Sequence, residues 1–89
     1  MSNISIKIAI QNEKSNPTKI VLEPMPEYYI LQSGQRVVVH AIFESNTENQ
    51  NFTIAPNEDF LVIYMPGEIS GFVDCFVTHE GVRLEPDGN

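Results

Sequence analysis

The chain has a single cysteine among its 89 residues, so no disulfide can form within it and a disulfide-stapled secreted scaffold is excluded. Bases are scarce as well. Lys7, Lys14, Lys19, Arg36 and Arg83 are the only five, against twelve acids, and the net charge is −7. They are scattered singly, so nothing lines up to neutralise a row of phosphates. Nucleic acid and anionic membrane are therefore not expected partners. Long apolar runs are missing too. The longest, Phe60 to Met65, is far short of a membrane span. The first residues, "MSNISIKIAIQNEK", have no basic region and no apolar block, so they do not read as a signal peptide. A soluble cytoplasmic protein is the expectation, and the sequons at Asn3 and Asn51 carry no weight without a secretory route.

What is present is alternation. Apolar residues make up 42% of the chain, enough for one folded domain with a thin core. "ISIKIAIQ" sets Ile4, Ile6, Ile8 and Ile10 on one face and Ser5, Lys7, Ala9 and Gln11 on the other. That is a strand with one wet face. "TKIVLE" predicts a second strand, stopped by Pro24 and Pro26, and "YYIL" a short third. "RVVVHAIF" follows a turn at Gly34, and its consecutive valines resist a helix. "ESNTENQN" is a polar loop. "FTIA" and "FLVIYM" read as strands joined by a turn at Pro56, and "PGEISG" as a further turn. "FVDCFVT" and "VRLE" form a closing hairpin, and "PDGN" is expected to fray. Seven to eight short strands with no helix predict an all-β domain. The expected form is a small antiparallel β-sandwich, with a partly open barrel as the alternative.

Most reactive side-chain types gather in "DCFVTHEG", Asp74 to Gly81. With His40, the residues Cys75 and His79 match the order of ligands in a blue-copper site. The axial Met that should follow is absent after Met65. In an extended strand, Cys75 and His79 have α-carbons about 13 Å apart. A shared metal needs ligand atoms at roughly 2.0–2.3 Å. The simpler reading puts Val73, Cys75 and Val77 on one face, with Cys75 a small, unreactive core residue. His79-Glu80-Gly81 then forms a three-residue hairpin loop. His40 is expected to be neutral and hydrogen-bonded at the edge of the core. "GEISG" is no nucleophile elbow, since Ser70 stands one place too late. Glu58 and Asp59 are a solvated pair. No metal, cofactor or catalytic set is expected.

The remaining candidate is "LEPMPEYYIL". Pro24 and Pro26 stiffen a turn around Met25, and alternation sends one of Tyr28 and Tyr29 inward and one outward. Glu23, Met25, Glu27, Tyr28 and Tyr29 are the expected binding residues, serving a protein partner that is basic by charge complementarity. The alternative for Met25 is a cap on the open end of the core. "LEP", "PEYYIL", "SGQRVVVHA" and "HEGVRLEP" together resemble small uncharacterised bacterial all-β domains. The resemblance implies a β fold and a bacterial cytoplasmic setting, and no activity. The functional expectation is a non-enzymatic protein-interaction or accessory domain. A small-ligand or metal-binding sandwich is the second reading and a small hydrolase the third.

Overall fold

The structure, a computed structural model, describes residues 2–66 and 71–89. The alternating segments form eight strands. They are β1 (Asn3–Gln11), β2 (Thr18–Glu23), β3 (Glu27–Leu31), β4 (Arg36–Glu44), β5 (Thr53–Pro56), β6 (Phe60–Tyr64), β7 (Phe72–His79) and β8 (Val82–Arg83). One sheet has the order β1-β4-β7-β8 and the other β3-β2-β6-β5. The architecture is a two-sheet sandwich and no closed barrel. The first sheet is antiparallel throughout. The second is mixed, because β2 and β6 run parallel, Lys19 opposite Phe60 through Glu23 opposite Tyr64. That pairing departs from the all-antiparallel expectation. It arises because two strands far apart in sequence are brought together by crossovers, which no local pattern records.

The core lies between the sheets. Val37, Val39 and Ala41 from β4, with Cys75 and Val77 from β7, face Ile20 and Leu22 from β2, Tyr29 and Leu31 from β3, and Ile63 from β6. The four isoleucines of β1 face the same way but are only half-buried, because β1 is the outermost strand.

A bulge between Ile42 and Phe43 shifts the β4–β7 register. It turns Phe72 onto the core and leaves Val73 45% exposed. The expected grouping of Val73 with Cys75 and Val77 is thus corrected, since an extra residue reverses the facing. The β7–β8 turn is also tighter than expected. His79 pairs with Val82, so the loop is Glu80-Gly81 alone, with φ of 52° and 81°. Positive φ at both central residues is the type I′ geometry that suits strand twist. The turn expected over Pro66 to Gly71 has residues 67–70, with Ser70, outside the described residues.

The four sheet edges differ. β8 is two residues long and β5 four, ending at Pro56. The β3 edge is covered by the C-terminal tail. Tyr28 donates its amide to the Gly88 carbonyl at 2.8 Å, Asp87 donates to the Tyr28 carbonyl at 2.8 Å, and Ile30 donates to Asp87 Oδ2 at 2.7 Å. The tail is therefore docked, contrary to the fraying its composition suggests. The nine-residue β1 edge has no strand beside it among the described residues.

Candidate functional site

The residues of "DCFVTHEG" do not converge. His40 belongs to the outer row of β4, whereas Cys75 is buried on the inner side of β7. His79 donates Nδ1–H to the Arg36 carbonyl at 2.9 Å. No group of three His, Cys, Asp or Glu that could hold a metal occurs among the described residues. Cys75 is 7% exposed, and burial, then the charge of Glu27, raises its thiol to about 11. Thiolate is scarce at neutral pH, so the side chain is a poor nucleophile.

His40 stacks on Phe76 with ring centroids 4.5 Å apart, and its Nε2 lies 2.9 Å from Thr78 Oγ1. It sits on the solvent face of the sheet, not at the core edge. Partial burial, then the charge of Lys7 opposite it on β1, lowers its pKa below the ordinary value. A histidine whose folded pKa is depressed gives up stability when it must charge. Denaturation midpoints should hold above pH of about 6.5 and fall as pH drops through the folded pKa. In His40→Gln that part of the slope should vanish. Urea curves across the acidic range, wild type against variant, check this; parallel profiles would refute it.

The binding residues expected from the sequence are divided by the fold. Met25 is 49% exposed at the tip of the β2–β3 turn, so it does not cap the core. Glu23 and Glu27 flank that turn, both half-buried. Tyr28 lies on the solvent side of β3, its ring under Lys19 Nζ at 4.3 Å from the centroid. Tyr29 is the inward tyrosine. It is 3% exposed, and burial, then Glu27, raises its phenol to about 12. Tyr29 is a core residue and leaves the set of possible contacts.

What the sequence reading missed is the surface to which Tyr28 belongs. On the outer face of the β3-β2-β6-β5 sheet, cross-strand register places Ile30, Lys19 and Phe60 in one row. Tyr28, Val21, Val62 and Ala55 form the next, and Glu23, Tyr64 and Thr53 the third. Lys19 and Glu23 are the only charges. Ile30, Phe60 and Tyr64 are 37–46% exposed. The Met25 turn adjoins the third row through Glu23. The clue was in the apolar run "FLVIYM": a strand with one wet face alternates, and one that is apolar on both sides has something to cover on each. Four strands roughly 4.8 Å apart and five residues long make a face on the order of 300 Å². Lys19, Glu23 and Thr53 interrupt it, so its apolar area is smaller than the largest patch on an ordinary monomer, and the exposed Ile30, Phe60 and Tyr64 supply most of it.

No helix among the described residues is long and apolar enough to cross a membrane. No family model matches the chain, and no curated protein or solved structure matches it.

Proposed function

We propose that this chain is a non-enzymatic protein-interaction domain, and that it docks its partner on the outer face of the β3-β2-β6-β5 sheet. The observation that carries this reading is the double-sided apolarity of β6. Its inner residue Ile63 fills the core, and its outer residues Phe60, Val62 and Tyr64, beside Val21 of β2, are left for another surface. The face is smaller than the roughly 800 Å² per partner of a standard stable interface. The Met25 turn enlarges it, and a transient contact suits it better than an obligate one. Glu23 and Glu27 put negative charge beside Met25 on a chain of net −7, so a basic rim on the partner would speed encounter and make binding salt-sensitive.

Site-specific photo-crosslinking in the source cells tests this. A photoreactive phenylalanine analogue in place of Tyr64 should give a discrete adduct that weakens as salt rises. The same analogue in place of Phe76, on the opposite sheet's outer face and separated from β1 by β4, should give none. No adduct at Tyr64, or equal adducts at both positions, would overturn the assignment.

A further inference from the structure

We infer that β1 is the interface of a two-fold dimer, in which the β1 strands of two copies of this chain pair antiparallel and join their sheets edge to edge. The inference is independent of the apolar outer face.

An open strand edge is a row of unpaired backbone donors and acceptors, and folded proteins normally blunt such edges. Three of the four edges here are blunted: β8 and β5 by shortness, β3 by the bonded tail. β1 is nine residues long and open among the described residues. Its inward row is unfinished as well. Ile6, Ile8 and Ile10 touch the core and yet stay half-exposed, as does Ile4. A strand added beside β1 would satisfy the edge and shield that row together.

The composition of β1 points to a second copy as the added strand. A two-fold interface must be self-complementary. "NISIKIAIQ" has the same pattern in both directions: isoleucines stand symmetrically at 4, 6, 8 and 10 about Lys7, with small residues at 5 and 9 and amides at 3 and 11. Read antiparallel, it sets isoleucine against isoleucine on the core side. The strand also contains no acid, although the chain carries twelve. Among the described residues the other uncovered stretch, Phe72 to Phe76 of β7 beyond the short β8, carries Asp74, so β1 is the edge on which two chains of charge −7 can meet without opposing carboxylates.

Lys7 selects the register. Its side chain belongs to the outer row, opposite His40 on β4. A pairing centred on Lys7 would put two lysines face to face, which is unfavourable. A slip of two residues either way puts Lys7 opposite Ser5 or Ala9 of the second copy and keeps the isoleucines aligned. An edge-to-edge join buries little area compared with stacked faces, so it belongs at the weak end of stable interfaces, in the micromolar range.

Sedimentation equilibrium of the purified chain tests the inference. At concentrations above micromolar, wild type should sediment at twice the chain mass. Ser5 and Ala9 are exposed on the outer face, so Ser5→Lys/Ala9→Lys keeps the fold and sets like charges against Lys7 in either register. It should sediment as a monomer with an unchanged far-UV spectrum. Tyr64→Ser, on the other sheet, should remain a dimer. Amide exchange in wild type is the readout that needs no variant: in the dimer every central β1 amide is protected, whereas in a monomer alternate ones exchange freely. A monomeric wild type, a dimer that survives the double substitution, or a dimer lost instead in Tyr64→Ser would overturn the assignment.

Discussion

Asn12→Asp should destabilise the protein by about 3–5 kcal/mol at neutral pH, as expected for a buried charge without a partner. Asn12 follows β1 and is only 3% exposed. Its Nδ2 donates to the carbonyls of Asn16 at 2.9 Å and Leu31 at 3.1 Å, and its Oδ1 accepts the Lys14 amide at 3.0 Å. Its backbone amide donates to the Gln35 carbonyl, and its carbonyl accepts from Gly34. One side chain therefore ties the β1–β2 loop to the end of β3, while its backbone holds the β3–β4 turn. A carboxylate has the same shape but no donor, so it would face two carbonyl oxygens in a site closed to water. Asn12→Ala removes the charge problem and should lose less, about 1–3 kcal/mol for the groups left unpaired.

The pH dependence separates these effects. Burial against carbonyls raises the introduced carboxyl's pKa in the folded state above its unfolded value of about 3.9. Such a group retains its stability contribution below the unfolded value and loses it as pH rises through the folded one. Urea midpoints of Asn12→Asp should therefore worsen from acid to neutral relative to Asn12→Ala. Equal midpoints for the two variants at every pH would show that the site admits water.

Nothing local distinguishes Asn12 from the polar residues around it in "QNEKSNP". Its burial depends on Leu31, nineteen positions away, and on the turn at Gly34. Long-range placement of this kind accounts for most of what the sequence conceals. Alternation located β1 and β4 almost to the residue, because one face of each strand is apolar and the other polar. It also sorted Tyr28 from Tyr29 as a pair, though not which was inward. It failed at β7, where a bulge broke the period of two, and at "PDGN", whose turn-rich composition hides three hydrogen bonds to β3. The outer face was legible in principle. "FLVIYM" has no wet side, and in a two-layer sandwich that fact alone implies a second surface to be covered. Which residues share that surface depends on the parallel pairing of β2 with β6, and hence on topology.

The two phenylalanines at 43 and 60 show how core and contact can be told apart. Phe43 is fully buried, paired across the sheet with Ile4 and Phe72, and sits beside the bulge that leaves Val73 of β7 unpaired. Phe60 is 37% exposed, at the start of β6 on the outer face. Phe43→Ala should destabilise by about 3–5 kcal/mol, since transfer and cavity terms add when a large buried ring is removed. For a domain this small, each kcal/mol lowers the melting temperature by roughly 4–8 °C, so the variant should lie close to its unfolding transition in ordinary conditions. Phe60→Ala deletes as much side chain, but more than a third of Phe60 already meets water. Its loss should be smaller, about 1 kcal/mol, with the melting temperature lowered by roughly 4–8 °C. If the outer face is the docking surface, Phe60→Ala should nonetheless reduce the crosslinked adduct at Tyr64, whereas Phe43→Ala should reduce it only as far as it lowers the folded fraction. Thermal melts beside adduct yields separate the two. A Phe60→Ala variant as unstable as Phe43→Ala would mean that the ring packs into the fold, and the outer face would lose its strongest apolar contact.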